Sequence, residues 1–152
     1  NIFSIDEFKT IIENNSRLLG IDPGKKNMGF ALCDEDKKVA TPFKIIEKSK
    51  FKILLREINE VIKENNIKGI VIGHPINMDG TLGKSSQSAL DFAKNLSKHI
   101  RIPIAMWDER LSSVGSFKIT QELGTNVSNR VKKLDKNAAA FILQGAIDYL
   151  SN

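Results

Sequence analysis

Three acidic residues stand where a folded chain can bring side chains together. Asp22 follows the apolar run Leu18-Leu19-Gly20-Ile21, Glu109 follows Trp107-Asp108 at the end of a second apolar run, and Asp135 precedes the last apolar-periodic segment. Converging carboxylates suit Mg²⁺ or Mn²⁺, hard cations that take oxygen ligands. Two such ions can clamp the attacking and leaving oxygens of a phosphodiester displacement, with the carboxylates as ligands and a water on the metal as nucleophile. That would be nuclease chemistry. Asp22-Pro23-Gly24 also has a plainer reading as a turn, in which the aspartate bonds its own backbone and proline presets φ.

The elements that would have to position these residues can be read from periodicity and capping. Ser4-Ile5-Asp6-Glu7 matches a capping box and Phe8, Ile11 and Ile12 form one apolar stripe, which predicts a short N-terminal helix over about residues 4–15. Leu18–Ile21 and Met28–Cys33 read as a hairpin turning through Gly24, and Val39–Ile46 as a third strand that Pro42 pushes to an edge. Lys50–Asn66 has helical spacing in Leu54, Leu55, Ile58, Val61 and Ile62. Ile67–Gly73 is a continuous apolar run of the kind found in parallel strands covered on both faces.

Asn77–Lys84 reads as a loop, with a helix from Ser85 or Ser86 to about His99. Ile102–Trp107 is the next strand, followed by a helix capped by Ser112 or Ser113 and ended by Gly124. Thr125–Lys133 reads as a flexible basic loop, and Asp135 as the cap of a last helix that buries Ala139, Ile142, Leu143, Ala146 and Leu150. An antiparallel meander followed by βα crossovers implies an α/β fold, with a mixed five-stranded sheet and helices on both faces. In such sheets ligands gather at strand ends.

At 152 residues the chain is expected to form a single domain with its own core. Hydrophobic residues at 41% and charged residues at 27% exclude global disorder. No apolar run approaches the roughly 20 residues of a membrane span, and no secretory signal pattern opens the chain, so a cytoplasmic location without a membrane partner is expected. Cys33 is the only cysteine and lies in an apolar run, as an inert core thiol would. The formal charge of +5 suits a polyanionic partner.

Four segments together resemble the YqgF/RuvX family of RNase H-like nucleases. They are Gly20-Ile21-Asp22-Pro23-Gly24-Lys25-Lys26-Asn27-Met28-Gly29, Gly73-His74-Pro75-Ile76-Asn77-Met78-Asp79-Gly80-Thr81, Trp107-Asp108-Glu109-Arg110-Leu111-Ser112-Ser113, and Asp135 with Ala138-Ala139 and Ile142-Leu143-Gln144. The resemblance runs from about Leu18 to Leu150 and implies an RNase H-like fold. It also implies a metal-dependent endonuclease using Mg²⁺ or Mn²⁺, acting in 5′-end maturation of pre-16S rRNA within ribosomal precursor particles. Alternatives are a Holliday junction resolvase acting on branched DNA and a non-catalytic nucleic-acid-binding factor of ribosome maturation. A phosphate-binding ATPase of the actin type is disfavoured, because that class needs two such domains around its nucleotide.

Carried over by position, the resemblance makes Asp22, Glu109 and Asp135 the catalytic, metal-binding set. Strand alternation puts Asp108 and Glu109 on different sides; the family pattern selects Glu109, leaving Asp108 to orient Arg110 or a backbone group. Lys26, Lys84, Arg110, Arg130, Lys132 and Lys133 lie in or beside the matched segments and would contact phosphates of structured RNA or branched DNA. Asn77 and Thr81 would offer hydrogen bonds at the groove border, or serve only their own turn. His74 is read as structural and Trp107 as core. Pro23, Asn27 and Gly115 depart from the usual tyrosine, arginine and glutamate of the family, and Asp22-Pro23-Gly24 is similar to the opening of resolvases of the RuvC type.

Overall fold

The computed structural model describes residues 1–111 and 127–152, with the backbone alone described for 127–137. Two short elements open the chain, β1 (Ile2–Phe3) and α1 (Ile5–Ile11). Three strands follow, β2 (Arg17–Pro23), β3 (Asn27–Cys33) and β4 (Ala40–Glu47). Next come α2 (Phe51–Asn65), β5 (Ile67–His74), α3 (Lys84–Ser97), β6 (Ile104–Asp108) and α4 (Val127–Leu150). The sheet runs β1-β6-β5-β2-β3-β4, so β2 lies inside it, parallel to β5 and antiparallel to β3.

The meander, the crossovers and the helices on both faces match the sequence reading, but the described residues form a sheet of six strands where five were expected. The sixth is β1, whose two residues pair in parallel with Ile104 and Ala105 of β6. A two-residue strand carries no period, which is why the sequence did not reveal it. The capping box of α1 is present in both directions, yet the helix ends at Ile11. Past Ile12 the stripe runs out, and Asn15 adopts a left-handed conformation at φ 59°.

Alternation along the strands sorts the core into two layers. Leu19, Ile21, Phe30, Ile70, Ile72 and Ile104 are buried on one face, packed with Leu54, Ile58 and Val61 of α2 and Ala93 and Leu96 of α3. Leu18, Ala31, Val71, Ala105 and Trp107 are buried on the other, packed with Phe8 of α1 and Leu143, Ala146 and Ile147 of α4. The second face is floored by small residues. A Cβ at Gly20 would lie 2.7 Å from Leu143 Cβ and 3.2 Å from the Ala139 carbonyl oxygen, so glycine there lets α4 settle directly on β2.

Two further boundaries differ from expectation. Helix α3 starts at Lys84 with Gly83 as its N-cap, and Ser86, inside the helix and buried, donates its hydroxyl to the Pro75 carbonyl. The segment expected as a loop up to Lys133 is helical from Val127, so Asp135 lies within α4 and does not cap it. Val127, Val131, Leu134 and Ala138 recur at helical spacing, with no glycine or proline to interrupt them, and this stripe outweighs the basic residues between. Ser112, Ser113, Gly115 and Gly124 lie outside the described residues, although the chain is already helical at residues 109–111.

Candidate metal-binding active site

One row across the sheet organises the site. Gly29 pairs with Asp22 on one side and Ile45 on the other, Trp107 pairs with Gly73, and Gly73 follows Ile72, the partner of Ile21. Asp22 therefore stands between two glycines, level with both and on the α4 face. A Cβ at Gly29 would be 3.7 Å from Asp22 Cβ and 3.5 Å from Ala139 Cβ. A Cβ at Gly73 would be 2.5 Å from Glu109 Oε1 and 2.6 Å from Ile142 Cδ1. The bare backbone of Gly73 is thus the cradle in which the Glu109 carboxylate lies.

This geometry brings Asp22 and Glu109 into one electrostatic field. Burial pushes the Asp22 carboxyl above its ordinary value. Burial, then the charge of Asp22, then that of Asp108 push Glu109 up to about 7. A half-buried carboxylate raised further by the charge of a second, itself raised by burial, is an electrostatic conflict that a divalent cation resolves. The all-oxygen donor set fits Mg²⁺ or Mn²⁺ by hardness.

Among the described residues, no three His, Cys, Asp or Glu side chains lie close enough to hold a metal by themselves. The third expected ligand, Asp135, has its backbone within α4, and its side chain lies outside the described residues. The side chains of Arg130, Lys132 and Lys133 do too.

Asp108 turns away from Glu109 and grips Arg110. The Arg110 backbone N–H donates to Asp108 Oδ1 at 3.0 Å, Nε donates to both carboxylate oxygens at 3.0 Å, and Nη2 donates to Oδ2 at 2.7 Å. These bonds hold the Asp108 carboxyl below its ordinary value. Asp108 pairs in the sheet with His74, whose Nε2 is buried without a hydrogen-bond partner among the described residues. Burial lowers the His74 pKa, opposed by the charge of Asp108. Nothing in the apolar spelling around His74 signals this neighbourhood; only the β5–β6 register does.

The loop after β5 is closed by its own side chains. Asn77 Nδ2 donates to Thr81 Oγ1 at 3.0 Å, while Asp79 Oδ1 accepts from the Thr81 backbone at 2.9 Å and from its hydroxyl at 2.6 Å. Gly80 takes φ +88°, and Arg110 Nη1 reaches the Asn77 carbonyl at 3.5 Å. Asn77 and Thr81 thus serve the turn itself, and the turn is tied to Arg110. Lys26 and Lys84 are exposed, Lys26 beyond β2 and Lys84 at the start of α3. Trp107 is buried against Tyr149, with ring centroids 5.8 Å apart. Cys33 is buried, and burial pushes its thiol pKa up.

A β2–β3–β4 meander continued by parallel β5 and β6, with one carboxylate on the central strand and another just past β6, defines a protein of the RNase H-like class. The solved RuvC of T. thermophilus, in complex with Holliday junction substrate, has this fold, with a TM-score of 0.57 at 13% identity over 90% of this chain and 96% of that one. The chain belongs to the RuvX family, described as Holliday junction resolvase, whose model matches residues 16–149. A protein of Pelagibacter ubique (strain HTCC1062), provisionally named pre-16S rRNA nuclease, is 52% identical over 99% of this chain and 100% of its own length. One of Ruegeria pomeroyi, with the same provisional name, is 40% identical over 98% of this chain and 97% of its own.

Proposed function

We propose that the chain is a single RNase H-like domain acting as a metal-dependent endonuclease on phosphodiester bonds, with pre-16S rRNA, trimmed at its 5′ end, as substrate. The observation that carries this reading is the Glu109 carboxylate lying over Gly73, on the strand beside Asp22, with the charge of Asp22 helping burial to raise it to about 7. The names borne by its full-length relatives support the substrate. Asp135 is the third ligand in this proposal, since the period of a helix puts position 135 one turn before Ala139, which packs over Gly29 beside Asp22.

Asp22 and Glu109 would hold Mg²⁺ or Mn²⁺, which when bound supplies Lewis acidity at the phosphoryl oxygens and a nucleophile at neutral pH. The chain's own part is to fix those carboxylates. Strand β2, paired with β3 at Asp22 and with β5 up to the residue before it, fixes Asp22, and the Gly73 cradle sets the height of Glu109 above the sheet. Arg110, oriented by Asp108, would meet backbone phosphates, as would Lys26 and Lys84 and the basic residues Arg130, Lys132 and Lys133. These contacts position the substrate and carry no sequence readout. The work would take place in the cytoplasm, on ribosomal precursor particles. Among the described residues, no helix is long and apolar enough to cross a membrane.

The family description favours a second reading, resolution of branched DNA. Cleavage of a precursor rRNA and of a four-way DNA junction, each with Mg²⁺ and with Mn²⁺, separates the two. The rRNA reading requires cutting of the precursor at its 5′ end. Cutting of the junction alone transfers the site to DNA, and binding without cutting under either metal leaves a maturation factor that retains the fold.

A further inference from the structure

The row that carries Asp22 continues past the carboxylates into an apolar groove that the metal chemistry leaves unused. Ile45 of β4 pairs with Gly29, so Ile45 lies two strand spacings, roughly 10 Å, from Asp22, with bare glycine backbone between. Gly29, Pro42, Phe43, Ile45, Ala139 and Ala140 line a groove there of about 340 Å³, at the lower end of ligand-pocket sizes. Phe43 is 43% exposed and Ile45 is 52% exposed. Neighbouring large apolar side chains left open on one strand call for a partner.

We propose that this groove seats an unpaired nucleotide of the substrate strand, its base stacked on Phe43 and its phosphate directed toward the Asp22–Glu109 site. For its ligand the inference rests on the nuclease reading above. The groove shares Gly29 with the carboxylate row, so a strand lying in it runs on into the site. Lys26 and Lys48, joined where the Lys48 N–H donates to the Lys26 carbonyl at 2.8 Å, stand at the same end of β3 and β4 and suit a phosphate backbone. The Lys44 ammonium, held by Glu57 at 2.8 Å, lies 5.9 Å from the Phe43 centroid, so an ion pair borders the ring. An apolar base on an aromatic face beside lysines is the usual chemistry of single-strand binding.

A second copy of the chain is the weaker occupant. Among the described residues β4 is a sheet edge, but it carries Pro42, and its pairing with β3 shifts register between Phe30 and Ala31, both of which blunt edge-to-edge pairing. A duplex is weaker too, since its bases are already stacked and cannot enter the groove.

The test is fluorescence titration of a short single-stranded RNA carrying 2-aminopurine, in Ca²⁺, with the wild-type chain and Phe43→Ala, Phe43→Leu and Phe43→Trp. Cleavage in Mg²⁺ and Mn²⁺ is measured in parallel. Phe43→Leu keeps the groove apolar and removes the aromatic face. Quenching should be lost in the Ala and Leu variants, with binding weaker by about tenfold, within the range that base–aromatic stacking shows on truncation. Phe43→Trp should restore both, and affinity for a blunt duplex should not change.

Wild-type affinity and quenching in Phe43→Leu would overturn the proposal. So would a wild-type dimer that Phe43→Ala dissociates while RNA binding is unchanged. If RNA binds and quenches but is not cut under either metal, the nuclease reading fails while the stacking site stands. If cleavage is metal-dependent and indifferent to Phe43 in both rate and binding, the stacking site fails while the nuclease reading stands.

Discussion

The backbone of Gly73 and the carboxylate of Glu109 occupy space that a single methyl group would contest: a Cβ at Gly73 would come within 2.5 Å of Glu109 Oε1. The two atoms nearest that Cβ are the ends of flexible side chains, Glu109 and Ile142, so the fold can accommodate alanine by moving them. Gly73→Ala should therefore leave a folded chain, at a cost of about 1–3 kcal/mol in a urea melt. Cleavage should fall by about 10²-fold, the penalty for displacing a catalytic group by about an ångström. Full activity in Gly73→Ala would show that the cradle does not set the carboxylate.

Gly20→Ala should behave in the opposite manner. Its Cβ meets Leu143 Cβ at 2.7 Å and the Ala139 carbonyl at 3.2 Å, neither of which can swing aside without moving α4. Stability should drop at the upper end of the overpacking range, about 3 kcal/mol by denaturant titration, with α4 displaced from β2.

The pH dependence of the metal-free chain follows from Glu109. Its carboxyl is raised from 4.5 to about 7, so across that window the folded chain keeps a proton that the unfolded chain has released. Stability from this group is complete below 4.5 and is lost as pH rises through about 7. Asp22, raised by burial, acts in the same direction. Glu109→Gln removes the titration, so its melting temperature should match wild type in acid and exceed it above about 7. Added Mg²⁺ should erase that difference by taking the proton's place. A gap between the two that does not change with pH would contradict the shift.

Asp108→Asn should loosen Arg110 while leaving the carboxylate pair intact. The ion pair is partly exposed, with side chains 24% and 33% accessible, so the stability change should stay below about 1 kcal/mol. The effect should fall on substrate affinity and its salt dependence, measured as KM against ionic strength, and leave kcat nearly unchanged.

Much of this arrangement could be read from the chain before folding. Leu18–Cys33 spells its own hairpin, and Asp22 falls at the end of a strand that lies inside the sheet. Asp108 was expected to orient Arg110 or a backbone group, and it does hold Arg110. Register between distant strands was not legible. The row Trp107–Gly73–Asp22–Gly29–Ile45 joins residues far apart in sequence, and no local pattern states which glycine will lie beneath which carboxylate. The helical start at Val127 was hidden because its basic residues matched the composition of a loop, although its apolar spacing was helical.

The central claim is that Asp22 and Glu109 together hold the divalent metal on which phosphodiester cleavage depends. Cleavage of precursor rRNA across a Mg²⁺ and Mn²⁺ titration, with wild type, Asp22→Asn and Glu109→Gln side by side, tests it directly. Loss of cleavage in both folded variants at every metal concentration is the expected result. Metal-dependent cleavage at the wild-type rate in both variants would contradict the account.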